Sequence, residues 1–189
     1  MKPLETDALV VVDVQNDFCT GGALAVPRGE TVVGPINRLV DKFRHVTFTR
    51  DWHPSDHCSF GFPPEFHDGS WPIPCVQDTP GAEFHGDLRV PLDAIFINKG
   101  DAPDAEAYSA FEGTRLAEEL RRRGVTRVYV AGLTLDYCVR STALDAVRLG
   151  FSAAVVRDAV RAVNPDRTDA LFAELEAAGV SLPSTEDLL

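Results

Sequence analysis

Short apolar runs rich in β-branched residues alternate along the chain with segments of helical periodicity. The runs cover residues 8–14, 45–49, 94–98, 127–133 and 152–158. They are almost continuously apolar, which is typical of parallel strands that helices cover on both faces. The helical periods cover residues 33–43, 116–120, 139–147 and 171–178, and three of them end at a glycine: Gly124, Gly150 and Gly179. The alternation predicts an α/β protein, a three-layer α/β/α sandwich around a mainly parallel sheet.

The length, composition and net charge indicate how many domains the chain forms and which partners it is not expected to bind. With 189 residues, 44% hydrophobic and 25% charged, the chain is expected to form one domain over residues 1–189. A net charge of -11 argues against nucleic acid, whose phosphates repel such a surface. No apolar run approaches the roughly 20 residues of a membrane helix, so no membrane association is expected.

The N-terminal sequence and the cysteines predict a compartment. The start of the chain lacks the basic region, longer apolar core and small-residue cleavage site of a secretory signal. The four cysteines include no CxxC pair, so we expect reduced thiols. Both observations predict a cytoplasmic protein.

Residues 50–93 break the alternation and are rich in Pro, Gly, His and aromatic residues. So long a segment without periodicity in a compact domain is usually functional. It opens with DWHPSDH at 51–57, which holds two carboxylates and two imidazoles. By itself this stretch is either a metal site or a polar turn around Pro54.

Chemically notable residues follow the carboxyl ends of four predicted strands. They are Asp13, Asp51, Lys99 and, after a glycine and a turn, Cys138. Strand ends of an open parallel sheet meet at one edge, where such sheets bind ligands. A helix start favours a thiolate at Cys138, with Asp13 as its base and Lys99 as a stabilising cation. The alternative is that Cys138 is a small buried apolar residue.

Several motifs together resemble the nicotinamidase/pyrazinamidase branch of the isochorismatase-like cysteine hydrolases. The segments that carry the likeness are VVDVQNDFCTGGALAV (11–26), TRDWHPSDHCSF (49–60), WPIPCVQDTPGAEFH (71–85), NKG (98–100), AYSAFEG (107–113) and VAGLTLDYCVRSTALDA (130–146). The resemblance covers nearly the whole chain. It implies the isochorismatase-like hydrolase fold and a catalytic triad of Asp13, Lys99 and Cys138.

The resemblance also implies a reaction. Family members hydrolyse nicotinamide to nicotinate and ammonia, a step in NAD salvage, and many accept pyrazinamide. Cys138 would form a thioester, and the backbone amides of Thr134 and Cys138 would hold the oxyanion. The bond between Leu133 and Thr134 matches a position that is a cis peptide in the family.

The same likeness implies a substrate pocket for an aromatic amide. Phe18 and Trp71 match the residues that sandwich the pyridine ring in the family. Leu24, Tyr108 and Leu133 match further positions around the substrate. Taken singly, such aromatic and aliphatic residues would be assigned to core packing.

A metal site is implied, with one departure from the family pattern. Asp51 and His53 match two metal ligands, but Pro74 replaces the expected histidine of the Trp-Pro-x-His-Cys motif. His57 would complete a site for Zn²⁺, Fe²⁺ or Mn²⁺. The alternatives are that His67 or Glu65 supplies a ligand, or that the site is weak or empty.

Two other functions compete with the nicotinamidase. The first is a metal-independent amidohydrolase of the same superfamily that acts on another small amide or carbamoyl compound. The second is a binding or redox-sensing protein on the same fold. The resemblance also allows a homodimer.

Overall fold

The computed structural model describes residues 2–61 and 72–189, and five strands form its sheet. The strands are β1 (Asp7–Val12), β2 (His45–Asp51), β3 (Ile95–Lys99), β4 (Arg127–Leu133) and β5 (Ser152–Arg161). They lie in the order β3-β2-β1-β4-β5, and every neighbouring pair is parallel. Each coincides with one of the five apolar runs, so the prediction of a mainly parallel sheet is confirmed.

The alternating side chains of the central strand supply two separate cores. Every residue of β1 is buried. Val10 and its neighbours on one face join one hydrophobic cluster, whereas Leu9 and Val11 on the other face join the second. Because successive side chains of a strand point to opposite faces, one apolar strand stabilises both layers.

The helices cover both faces of the sheet. They are α1 (Val33–Leu39), α2 (Leu116–Arg122), α3 (Arg140–Arg148), α4 (Thr168–Ala177) and α5 (Thr185–Leu188). Buried residues of α2, α3 and α4 pack in one cluster, and those of α1 and α5 pack in the other. The three-layer sandwich predicted from the sequence is therefore confirmed. The three predicted helix-ending glycines all have a positive φ, between 71° and 88°.

Three local details differ from the sequence pattern. Strand β3 is an edge strand whose side chains alternate between buried and exposed, and Phe96 is 43% exposed. Helix α1 ends at Leu39 before the predicted period does. Helix α5 has no counterpart among the predicted periods, and a capping box between Ser184 and Asp187 stabilises its start.

The fold brings the ends of β1 and β4 together at one edge of the sheet. Gly132 in β4 has a φ of 115°, and a β-carbon there would lie 2.0 Å from the carbonyl oxygen of Val12. Only glycine permits this approach. The chain then turns at Asp13, whose φ of 49° is rare for a residue with a side chain. Within the described residues, no helix has the length and apolar character to span a membrane.

Candidate active site

A buried lysine joins the side chains that follow three different strands. Lys99, at the end of β3, lies with its Nζ 2.9 Å from Asp13 Oδ2 and 3.5 Å from Cys138 Sγ. Asp13 and Lys99 are almost completely buried, and Cys138 is 5% exposed. The convergence predicted from the strand ends is present. The arrangement places an acid, a cation and a nucleophile within direct reach of one another.

A second carboxylate shares the same lysine. Asp51, at the end of β2, forms an ion pair with Lys99, so the ammonium lies between two acids. Gln15 fixes the backbone of Asp51 from both sides, because its Oε1 accepts from the Asp51 amide (2.9 Å) and its Nε2 donates to the Asp51 carbonyl (2.8 Å). The position of Asp51 is thus set by the loop that follows β1.

The two acids have opposite pKa shifts. Burial raises the pKa of Asp13 to about 6, aided by the charge of Asp51 and opposed by Lys99 and a hydrogen bond from Thr49. Burial acts in the same direction on Asp51, but Lys99 and His53 outweigh it and hold that pKa at about 2. Burial would lower the pKa of Lys99, yet the two carboxylates keep it well above its usual value. At neutral pH Asp13 is therefore a base that can readily take up a proton.

Cys138 lies at the start of a helical segment, as expected, but its turn is not α-helical. It lies in a π-helical turn, Leu135–Val139, in which the Thr134 carbonyl accepts from the amides of Tyr137 (3.2 Å) and Val139 (3.0 Å). Burial raises the pKa of the Cys138 thiol well above its usual value, against the opposing effect of Lys99. Burial therefore opposes the thiolate that the helix start and Lys99 favour, and the resting group is a thiol. The thiol must lose its proton to a neighbouring base when it reacts.

His53 is oriented by a backbone carbonyl. Its Nδ1 donates to the Gly100 carbonyl at 2.8 Å, so Nε2 is the ring nitrogen that can face a metal ion, and it lies 3.7 Å from Asp51 Oδ2. Gly100 has a φ of 61°, and a β-carbon there would lie 2.6 Å from Cε1 of His53. A histidine that donates one ring nitrogen to a carbonyl and presents the other is typical of metal ligands.

The ring of His57 lies against that of His53, and hydrogen bonds at both of its own nitrogens hold it in place. The ring centroids are 4.2 Å apart. His57 Nδ1 lies 2.7 Å from Ser59 Oγ, and Nε2 lies 3.1 Å from the Ala105 carbonyl. A carbonyl only accepts, so Nε2 carries the proton and Nδ1 accepts from the Ser59 hydroxyl. His57 can offer Nε2 to a metal ion only after this tautomer changes.

The donors around these histidines fit a divalent metal ion. Ligand atoms of His53, His57 and Glu106 lie within 4.8 Å of one another, and Asp51 lies beside His53. Imidazole and carboxylate groups together suit Zn²⁺, Fe²⁺ or Mn²⁺. Pro74 is buried on the wall of the same cavity and offers no donor.

A cavity opens beside Cys138, and Asp51 and His53 also lie on its wall. Its described lining includes Phe18, Leu24, Asp51, His53, Ser59, Pro74, Glu106, Tyr108, Thr134, Tyr137, Cys138 and Val163. The predicted pocket residues Phe18, Leu24 and Tyr108 are therefore on its wall. The buried hydroxyl of Thr134 has no hydrogen-bond partner among the described residues and is available to a bound molecule.

Leu133 is not among the described residues that line this cavity. Its side chain is fully buried in the core that contains α1, since successive residues of β4 alternate between faces. The peptide bond from Leu133 to Thr134 is cis, as the resemblance implied. The predictions for Trp71, Glu65 and His67 fall outside the described residues.

Comparison with known proteins agrees with this geometry. The isochorismatase domain family matches residues 7–187. The chain belongs to the isochorismatase family. The nicotinamidase/pyrazinamidase of Mycobacterium tuberculosis is 43% identical over 186 residues, which cover 93% of this chain and 97% of that protein. The resemblance found in the sequence is confirmed.

Two solved structures extend the family likeness to three dimensions. The pyrazinamidase of Pyrococcus horikoshii in complex with zinc has a TM-score of 0.88 and 45% identity, covering 95% of this chain and 99% of that one. PnC1 from L. infantum in complex with nicotinate has a TM-score of 0.91 and 38% identity, covering 100% of this chain and 98% of that one. The isochorismatase-like fold is thereby confirmed.

Sequence reasoning missed three polar residues that shape this isochorismatase-family site. Gln15 pins Asp51, as described above, and Asp17 Oδ2 accepts from the amide of Cys75 at 2.7 Å, which anchors the segment after Pro74. Both belong to the VVDVQNDF motif and lie within four residues of Asp13, and this closeness was the available signal. Glu106 gave no such signal, because it stands among exposed acids in the loop after β3.

Proposed function

We propose that this chain is a cysteine amidohydrolase that converts nicotinamide to nicotinate and ammonia. The observation that carries the proposal is the contact of Lys99 with both Asp13 and Cys138, the last of which lines the cavity. A nucleophile, a base and a cation in one buried cluster support attack on an electrophilic carbon. The family relatives described above support the choice of an aromatic amide.

The first half of the reaction forms a thioester. The Cys138 thiol gives its proton to Asp13, and the sulfur attacks the amide carbon to form a C–S bond. Backbone amides of Thr134 and Cys138 are proposed to hold the oxyanion. The C–N bond then breaks as Asp13 returns the proton to nitrogen, and ammonia leaves.

The second half uses the same base. Asp13 takes a proton from water, whose oxygen attacks the thioester carbon. The C–S bond breaks, nicotinate forms, and the proton returns to the Cys138 thiol. A pKa of about 6 suits a group that alternates between base and acid near neutral pH.

Lys99 makes both halves possible without reacting itself. Its charge stabilises whichever of Asp13 and Cys138 is negative during proton transfer. Because all three groups are buried, this electrostatic effect is larger than it would be in water.

The aromatic ring of the substrate is proposed to lie against Phe18, with Leu24 and Tyr108 on the surrounding wall. These residues line the cavity and provide an apolar surface beside the nucleophile. Trp71 is proposed to cover the opposite face of the ring, as the resemblance implies. The same surface would accept pyrazinamide.

We further propose that Asp51, His53 and His57 hold one divalent metal ion, Zn²⁺, Fe²⁺ or Mn²⁺. The orientation of His53 by the Gly100 carbonyl and the position of its Nε2 beside Asp51 support this assignment. When bound, such an ion would supply a Lewis acid for the ring nitrogen of the substrate. The chemistry of bond cleavage stays with Cys138 and Asp13.

A comparison of four amides tests the proposal. Purified, metal-analysed protein is incubated with nicotinamide, pyrazinamide, benzamide and an N-carbamoyl amino acid, and ammonia and acid products are quantified. We expect the two heteroaromatic amides to give the highest kcat/KM, with benzamide lower because it lacks the ring nitrogen. Preference for the carbamoyl compound would contradict the proposal.

Pro74 favours one second candidate, a metal-independent amidohydrolase of another small amide or carbamoyl compound. Removing the metal with a chelator separates the two, because the second candidate would keep its full kcat/KM. The cytoplasmic location and the homodimer stay predictions.

A further inference from the structure

We propose that Glu106 is a direct metal ligand that replaces the histidine absent at Pro74. The inference rests on the proposed metal site and adds to it a residue outside the matched motifs. Glu106 lies in the loop between β3 and α2, seven positions after Lys99 in the sequence.

The first support is the donor geometry. Ligand atoms of His53, His57 and Glu106 lie within 4.8 Å of one another, and Asp51 Oδ2 lies 3.7 Å from His53 Nε2. Two donors about 2.0–2.2 Å from the same ion are separated by about 3–4 Å. His53, His57 and Glu106 are therefore close enough to share an ion after small movements, and Asp51 adjoins them through His53.

The second support is the environment of the Glu106 carboxylate. It lines the cavity and is half-buried, whereas the neighbouring acids Asp101 and Asp104 are exposed. Glu106 Oε1 accepts from the amide of Ala107 at 3.0 Å, which fixes the side chain. Among the described residues no cation pairs with this carboxylate. A half-buried acid without a counter-ion, aimed at two imidazoles, is suited to a bound cation.

The third support is that the same loop controls His57. The carbonyl of Ala105 holds the His57 Nε2–H, and the next residue supplies the carboxylate. If His57 releases Ala105 and donates from Nδ1 to Ser59 instead, Nε2 becomes a ligand. The loop that carries Glu106 is thus in direct contact with His57, one of the two histidines proposed to bind the ion.

The charge of the cluster also calls for a second carboxylate. Asp51 is shared with Lys99, whose ammonium opposes the binding of a cation nearby. A neutral histidine at position 74 would not offset that repulsion. Glu106 adds one negative charge beside the two histidines, so it compensates for both the missing donor and the neighbouring cation.

Direct titration of Zn²⁺ into the metal-stripped full-length protein tests the inference. The titration uses a Cys138→Ser background, because Asp13, Asp51 and Cys138 form a second cluster that could bind zinc. Glu106→Gln removes the donor and the charge. Asp104→Asn, an exposed position two residues away, removes a charge from the same loop without touching the cavity.

We expect Glu106→Gln to weaken Zn²⁺ binding by about 100-fold or more, beyond the 10–100-fold typical of residues that act only through a ligand. Asp104→Asn should keep nearly the parental affinity. The Glu106→Gln/Pro74→His double variant should regain affinity because a donor is restored. A smaller loss in Glu106→Gln, or equal losses in both loop variants, would overturn direct ligation.

A spectroscopic measurement covers the case in which Pro74→His does not fold. Co²⁺ bound to the Cys138→Ser chain reports its donor set through d–d absorption bands. The bands should change in Glu106→Gln and stay the same in Asp104→Asn. Identical spectra in all three proteins would overturn the inference.

Failure of this inference is distinguishable from failure of the proposed function. If Glu106→Gln keeps parental Zn²⁺ affinity while the wild-type chain hydrolyses nicotinamide, only the ligand assignment falls. If affinity depends on Glu106 but wild-type protein releases no ammonia from nicotinamide, the ligand assignment stands and the function falls.

Discussion

Thr49→Val should move the pH dependence of the reaction without removing any reacting group. Thr49 Oγ1 donates to Asp13 Oδ1 at 2.6 Å, and both residues are fully buried. The hydrogen bond stabilises the carboxylate and lowers the pKa of Asp13, which burial raises to about 6. Valine has nearly the same shape and cannot donate, so the change isolates this one interaction.

The expected change in the pKa of Asp13 follows from the energy of its hydrogen bond with Thr49. A hydrogen bond to a charged group contributes about 1.5–3 kcal/mol, so its loss should raise the pKa of Asp13 by about 1 to 2. Asp13 must be deprotonated to act as base, and activity is lost as pH falls through its pKa. At pH 6 the kcat/KM should therefore fall by about 5- to 50-fold, and the loss should vanish near pH 9.

The assay is the rate of nicotinate formation from nicotinamide, measured by chromatography from pH 5 to pH 9. Thr47→Val is the matched control, because Thr47 is equally buried on the same strand and its hydroxyl has no hydrogen-bond partner among the described residues. An acid limb that stays in place in Thr49→Val, or moves equally in Thr47→Val, would refute the assignment of Asp13 as the titrating base.

Two further predictions concern the lysine and the histidine. Lys99→Met should destabilise the protein by about 3–5 kcal/mol at pH 8, since it leaves two buried carboxylates without a cation. The loss of stability should be smaller at pH 5, where the raised pKa of Asp13 allows that carboxyl to be neutral. Urea denaturation measures the stability at each pH, and equal losses at pH 5 and pH 8 would contradict this reasoning. Gly100→Ala should weaken Zn²⁺ binding by about 10-fold or more, because its β-carbon would displace the His53 ring. Gly113→Ala has a similar φ of 67° and open space around the β-carbon, so isothermal titration should find its affinity unchanged; equal weakening would point to backbone strain instead.

The sheet and the catalytic cluster were predictable because both follow from local signals. Each strand is an apolar run, and the parallel order brings Asp13, Lys99 and Cys138 to one edge whatever the details of the loops. The edge position of β3 was not predictable, because the exposed Phe96 is an aromatic residue of a type that is usually buried. Whether the outer face of a strand is buried depends on which elements pack against it, and the sequence of the strand does not contain that information.

The protonation of Cys138 and the position of Leu133 depend on packing that the motifs do not record. The helix start and Lys99 favour a thiolate, but desolvation raises the pKa of a thiol that is 5% exposed. Leu133 matches a motif position around the substrate, whereas its side chain lies in the core because side chains alternate along the strand.

The full set of metal ligands could not be predicted from the sequence. Pro74 marks a missing donor, and the replacements predicted for it, His57, Glu65 and His67, all precede it within 17 residues. Glu106 is 32 positions further along and becomes a candidate only when the loop after β3 folds over the two histidines. The prediction of one domain over residues 1–189 stays a prediction.

The most direct test of the account compares turnover of nicotinamide by the wild-type, Cys138→Ala and Cys58→Ala proteins. Cys58 is exposed and lies outside the triad, so its variant controls for loss of a thiol. We predict equal amounts of nicotinate and ammonia from the wild-type and Cys58→Ala proteins, and a rate lower by about 10⁴-fold or more in Cys138→Ala. Turnover that survives in Cys138→Ala, or its absence in metal-loaded wild-type protein, would contradict the account.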